Sequence, residues 1–413
     1  MSARALTIGT LLYAALVGVL VPVWGGVPYQ YFFTNDAFHY SQGAINLLTQ
    51  GLYSIDGIHA FLEREPGMSF FLAVTYGLFG IENIFALLLV QIVALYIAAA
   101  LLAKELYRWY GQTIAAVSFA LILTSGSIAH ALFTANREAL TTILTMLIVT
   151  LFLRAVRTRR LMHWLILAIP LAYAVLTYFP ILLLPFGIAV LFSVRPGYRV
   201  GVMITLFVMS GLVSLWALRN ATIDGNFRVI ANQRTAVMWY VRGEQAERVH
   251  GLEPLRCLYA EYVTRNWNGR SDACSFNGLM HRKWPDGFDY SLDMSDIAKS
   301  GQAKIMQNIS SYLNFSLFEI VELHIPFVGG GMSRLFNVYA ALTHLLLFIG
   351  CAIGLCTLRR EYRWLWLMPI AYNIAVYILT DATPRYLVPF LPLYAVLAAF
   401  GYDVLLRRFR PNP

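Results

Sequence analysis

The chain reads as an all-α polytopic membrane protein: a bundle of about ten transmembrane helices, interfacial helices in the first outer loop and a small outer lid. Three observations lead there. Of 413 residues, 59% are hydrophobic and only 13% charged, far more apolar than a soluble domain requires. The apolar residues fall in blocks of about 20, the helix length that crosses a ~30 Å hydrocarbon layer. The basic residues gather in alternate connecting segments, which is how membrane proteins encode orientation.

In chain order, Ala5–Trp24 opens the bundle. One Arg precedes it and no small-residue cleavage site stands out before Pro28, so it reads as a retained span and not a cleaved leader. The outer segment Gly25–Glu82 follows. Within it, Ala37–Gly51 carries Ala37, Tyr40, Ala44, Leu47 and Leu48 at helical spacing, the pattern of an amphipathic interfacial helix. Pro66–Gly80 is apolar but too short to span comfortably, and as a span it would invert every later loop. It reads as a second interfacial helix, started by Pro66 and stopped near Gly80.

Six spans come next: Asn83–Ala103, Thr113–Leu132, Glu138–Leu153, His163–Phe179, Pro180–Val194 and Val200–Leu218. The large polar segment 219–334 is the lid, with a helix over Asp293–Asn308 and otherwise irregular structure. Leu335–Leu358, Trp364–Thr380 and Tyr386–Leu406 complete the bundle. The domains are therefore 1–218, a transmembrane module containing the outer loop 25–82; 219–334, the large extracytoplasmic loop; and 335–413, the last helices.

The net charge of +9 resolves into topology. With the N-terminus inside, the inner segments hold 15 basic residues, including Arg154, Arg157, Arg159 and Arg160, against two acidic ones, Glu105 and Glu361. The remainder of the chain has 16 basic and 20 acidic residues. The asymmetry puts both termini in the cytoplasm and both large loops outside, in the inner (plasma) membrane. It also removes a nucleic-acid partner from consideration. Cys351 and Cys356 lie in the eighth span as small packing residues. Cys257 and Cys274 lie in the lid, where an oxidising compartment lets them pair, two free thiols being the alternative. Trp239, Trp267 and Trp284 are lid-packing residues or sugar-stacking platforms, and His344 and Asn373 read as satisfied interhelical polar groups.

The residues able to carry chemistry lie on the outer side. Asp36 follows the first span closely, so its carboxylate sits just beyond the lipid. There it suits two roles: a base that takes a proton from an acceptor hydroxyl or amine, or the N-cap of the helix starting near Ala37. Glu65, its neighbour in the same loop, is a further candidate for the catalytic carboxylate. Arg64, Arg137 and Arg385 break the charge rule on the outer side. Each can clamp a phosphate with two parallel hydrogen bonds or anchor ordinary lipid headgroups. Glu138 is either a helix-start residue favoured by the dipole or a second active-site carboxylate. No spacing of oxygen ligands indicates a divalent metal, which is the one cofactor the sequence leaves open.

The ordered set of motifs resembles the GT-C glycosyltransferases, in particular the branch containing bacterial protein mannosyltransferases and the lipid A aminoarabinose transferase. It comprises Asp36 with His39 and Tyr40, Gly51-Leu52-Tyr53, Arg64-Glu65-Pro66-Gly67 leading to Phe79-Gly80, and Glu138. Arg219-Asn220 with Gly225 and Arg385-Tyr386-Leu387-Val388-Pro389-Phe390-Leu391-Pro392 follow in the same order. The chain departs from the pattern at Met68-Ser69, where Tyr-Pro is common, and has its long loop between spans seven and eight.

The resemblance implies a polyprenyl-phosphate sugar as donor, inversion at the sugar and Asp36 as the catalytic carboxylate. With the outer placement of the arginines, it implies donor-phosphate contacts from Arg64, Arg137 and Arg385, with Tyr386 supporting Arg385, and substrate contacts from His39, Tyr40, Arg219 and Asn220. The expected activity is hexosyl or pentosyl transfer to a cell-envelope glycan, lipid or protein. A polyprenyl-linked glycan polymerase or ligase is the nearest alternative. A lipid-linked sugar transporter or flippase fits less well, since it would show internal repeats or broken helices around a midplane site.

Overall fold

The computed structural model describes residues 13, 33, 36–62, 64–193, 196–229, 243, 294–324, 334–358, 360–379 and 384–409. All regular structure among them is helical. In chain order the helices are α1 Asp36–Gln50, α2 Gly67–Phe79, α3 Ile84–Tyr110, α4 Gln112–Leu123, α5 Gly126–Leu132, α6 Arg137–Thr158 and α7 Leu161–Thr177. They continue with α8 Leu184–Ser193, α9 Arg199–Asp224, α10 Met294–Gln307, α11 Ile309–Leu323, α12 Arg334–Thr357, α13 Arg360–Leu379 and α14 Leu391–Phe409. The chain forms two compact units. One holds Met1–Ile230, Pro326–Asn373 and Leu387–Pro413; the other holds Ala231–Ile325 and Ile374–Tyr386.

By length and composition five helical stretches can cross a membrane: α3, α6, α9, Phe336–Thr357 of α12, and Arg385–Arg408. The pair α4 and α5, bent by 52°, makes a sixth if it counts as one span. The protein is thus a polytopic membrane protein, with five or six such spans among the described residues beside the ten expected of the whole chain. Ala5–Trp24 lies outside the described residues apart from Tyr13. α7 is apolar but only 17 residues long. The stretch expected to span from Pro180 is a 3-10 turn, Phe179–Leu183, followed by the ten residues of α8. Pro180 and Pro185 each lack a backbone N–H, and each stands in the first turn of its element, where that donor has no intrahelical partner to lose.

The first unit is a layered bundle. α3 packs on α4 and α6, α6 on α7, α7 on α9, and α14 on α4 and α12. The α12–α14 contact is set by glycine. A methyl group at Gly354 would strike the Leu397 carbonyl, and one at Gly401 the Gly350 carbonyl, so the two backbones approach as only small residues permit.

α1 and α2 form where the two interfacial helices were expected, and they pack against each other. The buried face of α1 is Ala37, Tyr40, Ser41, Gly43, Ala44 and Asn46; Leu48, assigned to that face by spacing, is exposed in the last turn of the helix. Gly51 ends α1 at φ +70°, a conformation that favours glycine.

Three other expectations need correction. Ile309–Leu323 of the second unit, read as irregular, is the helix α11; only Asn308 separates it from α10, which matches the helix expected there. Cys351 is buried and its thiol meets the Tyr394 carbonyl at 3.0 Å, but Cys356, on the other side of α12, is exposed. His344 reaches Ser127 across helices at 3.5 Å, whereas the fully buried amide of Asn373 has no hydrogen-bond partner among the described residues. Cys257, Cys274, Trp239, Trp267 and Trp284 lie outside the described residues.

Candidate active site

The loop joining α1 to α2 gathers the charged residues that the sequence singled out. Asp36 is the first residue of α1, and its carboxylate meets Arg64 Nη2 at 2.8 Å. Both side chains are about four-fifths covered, with relative exposures of 17% and 19%. Burial alone would lower the Arg64 pKa, but the Asp36 carboxylate and Tyr40 push it up further, so the guanidinium stays charged. Its carbon lies 5.8 Å from the Tyr40 ring centroid. Tyr40 is itself fully buried on the inner face of α1, and burial raises its phenol pKa. His39 faces the same loop and stacks on Phe61.

The next residue in the loop faces the other way. Glu65 Oε2 accepts from Arg137 Nη1 at 2.9 Å, and Oε1 accepts from the Phe179 backbone N–H at 3.1 Å. Arg137 is the first residue of α6, and its guanidinium stacks on the Tyr178 ring at 4.7 Å. Glu138 follows it, buried in the first turn. The loop is thereby tied to the N-terminus of α6 and to the bend after α7.

Gly67 makes the third tie. Its carbonyl accepts from Tyr173 Oη at 2.8 Å, and a Cβ there would sit 2.8 Å from the Leu176 carbonyl oxygen. The Arg-Glu-Pro-Gly run thus divides its labour by residue. Arg64 holds Asp36, Glu65 holds Arg137, Pro66 begins α2 without needing an N–H donor partner, and Gly67 lets α2 touch α7.

Arg219 and Asn220 sit near the end of α9, which Gly225 closes at φ +78°. Arg219 Nη1 donates to Asn220 Oδ1 at 2.9 Å, and its guanidinium carbon lies 4.6 Å from the Trp216 ring and 5.9 Å from the Tyr53 ring. Asn220 Nδ2 donates to the Arg228 and Val229 carbonyls, and Trp216 Nε1 also donates to Val229, so the chain leaving α9 folds back on it. Tyr53 links the two groups: it packs edge-on to Trp216 at 5.6 Å, and its hydroxyl donates to the Glu65 carbonyl at 3.4 Å.

The structure therefore brings Asp36, His39, Tyr40, Arg64, Glu65, Arg137, Glu138, Arg219 and Asn220 into one neighbourhood of the first unit. Arg385 and Tyr386 belong to the second unit, where Arg385 Nη2 donates to the Tyr386 hydroxyl at 3.3 Å. Among the described residues no three His, Cys, Asp or Glu side chains converge as a metal site. The sequence reading missed Trp216, Tyr178 and the Phe179 N–H. Trp216 was findable, three residues before Arg219 on the same helical face. The other two are set by the bend after α7, and no local pattern marks them.

Residues 63–221 match the family model described as dolichyl-phosphate-mannose-protein mannosyltransferase. That range takes in the Arg64–Gly67 run, Arg137-Glu138 and Arg219-Asn220. Among solved structures the chain is similar to the oligosaccharyltransferase of Archaeoglobus fulgidus. The TM-score is 0.52 at 15% identity to its apo form, over 97% of this chain and 50% of that one. For the archaeal oligosaccharyltransferase AglB from Archaeoglobus fulgidus, in complex with an inhibitory peptide and a dolichol-phosphate, the TM-score is 0.50 at 16% identity, again over 97% and 50%. The ArnT protein of Cupriavidus metallidurans in the apo state matches at TM-score 0.43 and 13% identity, over 98% of this chain and 78% of that one. The chain spans about half the length of the oligosaccharyltransferases. No curated protein matches it. The GT-C resemblance carried by the motifs is thus met in a family model and in the fold.

Proposed function

We propose that the chain transfers a hexosyl or pentosyl group from a polyprenyl phosphate to a cell-envelope glycan, lipid or protein, at the extracytoplasmic face of the inner membrane. The observation that carries this reading is the Asp36–Arg64 pair, two residues 28 positions apart held at 2.8 Å where α1 and α2 begin. Asp36 is covered enough to be strengthened by a low dielectric, yet keeps an exposed fraction through which an acceptor can reach it. The charge pattern, with both termini inside, puts this loop outside.

In the proposed reaction the acceptor hydroxyl or amine attacks the sugar's anomeric carbon from the face opposite the phosphate, and Asp36 takes its proton. The bond from the anomeric carbon to the phosphate oxygen breaks, and the lipid phosphate leaves with the electron pair. Its growing charge needs fixed donors. Arg137 is engaged by Glu65 and Arg64 by Asp36. Arg219 is bound to the neutral amide of Asn220 and stacked on Trp216, so its charge has no carboxylate partner among the described residues. We assign the phosphate to Arg219. The dolichol-phosphate in the similar AglB structure supports a lipid phosphate as the donor's carrier.

Asp36→Asn tests the reading, because Asn caps a helix as well as Asp but cannot take the proton. Glycan analysis by mass spectrometry, in a deletion strain carrying the variant, is expected to show transfer reduced about 10²- to 10⁴-fold with the protein still in the membrane. Near-normal transfer would exclude Asp36 as the base.

A further inference from the structure

The Glu65–Arg137 pair poses a problem that the proposed reaction does not solve. Both side chains are almost wholly buried, at 3% and 5% exposure, and they come from positions 72 residues apart. Burying two charges is costly enough that an apolar pair of similar size is often as stable or more so. Arg137 also stands in the first turn of α6, where the helix dipole disfavours a positive charge. Neither residue is placed well for chemistry. Both Glu65 oxygens already accept hydrogen bonds, from Arg137 and from Phe179, which makes the group a poor base. The Arg137 charge is spent on Glu65 and its face on Tyr178, which makes it a poor phosphate ligand.

What the pair does have is leverage. Glu65 is bonded through the main chain to Arg64, and Arg64 holds Asp36. Its side chain locks that residue to two elements outside the loop, α6 and the bend after α7. Tyr53 fixes the Glu65 carbonyl from a third direction.

We propose that Glu65 and Arg137 are a positioning pair: they anchor the turn that carries Arg64, so that Arg64 holds Asp36 in register, and neither touches sugar or phosphate. The consequence for activity rests on the reading of Asp36 as the base; the anchoring itself does not.

The test uses the full chain purified in detergent, with Glu65→Met/Arg137→Met replacing the pair by apolar side chains and Arg137→Lys keeping the charge. Hydrogen exchange is followed by mass spectrometry over 51–66 and the start of α1, with α14 as the internal reference. Binding is measured with undecaprenyl phosphate alone, and transfer is scored in membranes. In the double variant, exchange over 51–66 is expected to rise about tenfold or more while α14 is unchanged. Undecaprenyl phosphate should still bind within about threefold, and transfer should fall about 10²-fold, the scale of a misplaced catalytic group. Arg137→Lys should keep most of the native protection, and Glu65→Gln, which keeps the shape and loses the charge, carries the same exchange test if the double variant does not fold.

Unchanged exchange with transfer lost would overturn the proposal and make Glu65 a direct participant. Loss of undecaprenyl phosphate binding with exchange unchanged would overturn it in favour of Arg137 as a phosphate ligand. Should Asp36→Asn transfer normally, the base assignment falls while the exchange result still decides whether the pair anchors the turn.

Discussion

Gly67 is the position where the structure makes its sharpest demand on sequence. The residue opens α2 directly beneath the end of α7, and an added Cβ would lie 2.8 Å from both the Leu176 oxygen and the Thr177 Cα, besides meeting the Thr177 hydroxyl. Two of those three neighbours are backbone, so no rotamer change relieves the contact. Gly67→Ala must push α2 off α7. Overpacking of this kind costs about 1–3 kcal/mol, and the Tyr173–Gly67 hydrogen bond at 2.8 Å is lost with it, for about 1 kcal/mol more. The expected destabilisation is about 2–4 kcal/mol. Gly77, ten residues on in the same helix, is the control: its added Cβ would find only Leu48 Cδ2 at 3.7 Å, ordinary contact distance. There Ala should gain about 0.5–1 kcal/mol through helix propensity. Thermal unfolding of the two purified variants in one detergent should therefore move in opposite directions. If Gly67→Ala melts with the native protein, or if Gly77→Ala falls as far, the close approach of α2 and α7 is not what the structure says it is.

Other expectations follow from the same geometry and from the charge pattern. Arg219→Lys keeps a cation but loses the flat stack on Trp216, so transfer should drop about tenfold or more; equal activity would mean that only the charge matters. In a variant stripped of native cysteines, a single Cys at position 158 should resist an impermeant thiol reagent in intact spheroplasts, and its labelling would invert the topology. Cys257 and Cys274 are expected to be joined. A disulfide over that loop is worth ~3 kcal/mol on the chain-entropy model, and recovery of both as free thiols by non-reducing peptide mapping would refute it.

Much of the helix map was legible because lipid demands apolar blocks of a set length, and such blocks survive in a single sequence without homologues. α1, α2 and α10 were legible too, from spacing and from Pro66. Their limits show what local pattern omits. Leu48 fits the apolar stripe of α1 but is exposed in its last turn, and Cys356 and Cys351 differ in which side of α12 they occupy. Partnership was the least legible feature. Nothing near Arg137 in the chain points to Glu65, because the bend after α7 decides that contact, and Tyr178 and Phe179 supply its other half. Arg64, Arg137 and Arg385 stood out in the sequence against the charge rule. Which of them is neutralised by a carboxylate was visible only in three dimensions.

That partition determines how substitutions in this site must be read. Arg137→Ala would leave the Glu65 carboxylate buried with the Phe179 N–H as its remaining identified donor, and stranding a charge in this way costs about 3–5 kcal/mol whether or not Arg137 has any part in the reaction. Loss of activity in that variant is uninformative by itself. Asp36 is a cleaner probe: Asn preserves shape and one acceptor for Arg64, and the site's 17% exposure lets water take part of the load. For the deeper pair the informative quantity is the coupling between Glu65 and Arg137. If they act as one anchor, the double apolar variant will be less damaged than the two single losses added together, by about 1–3 kcal/mol in stability. Additive losses would mean that each residue has its own work, and the anchor would have to be abandoned.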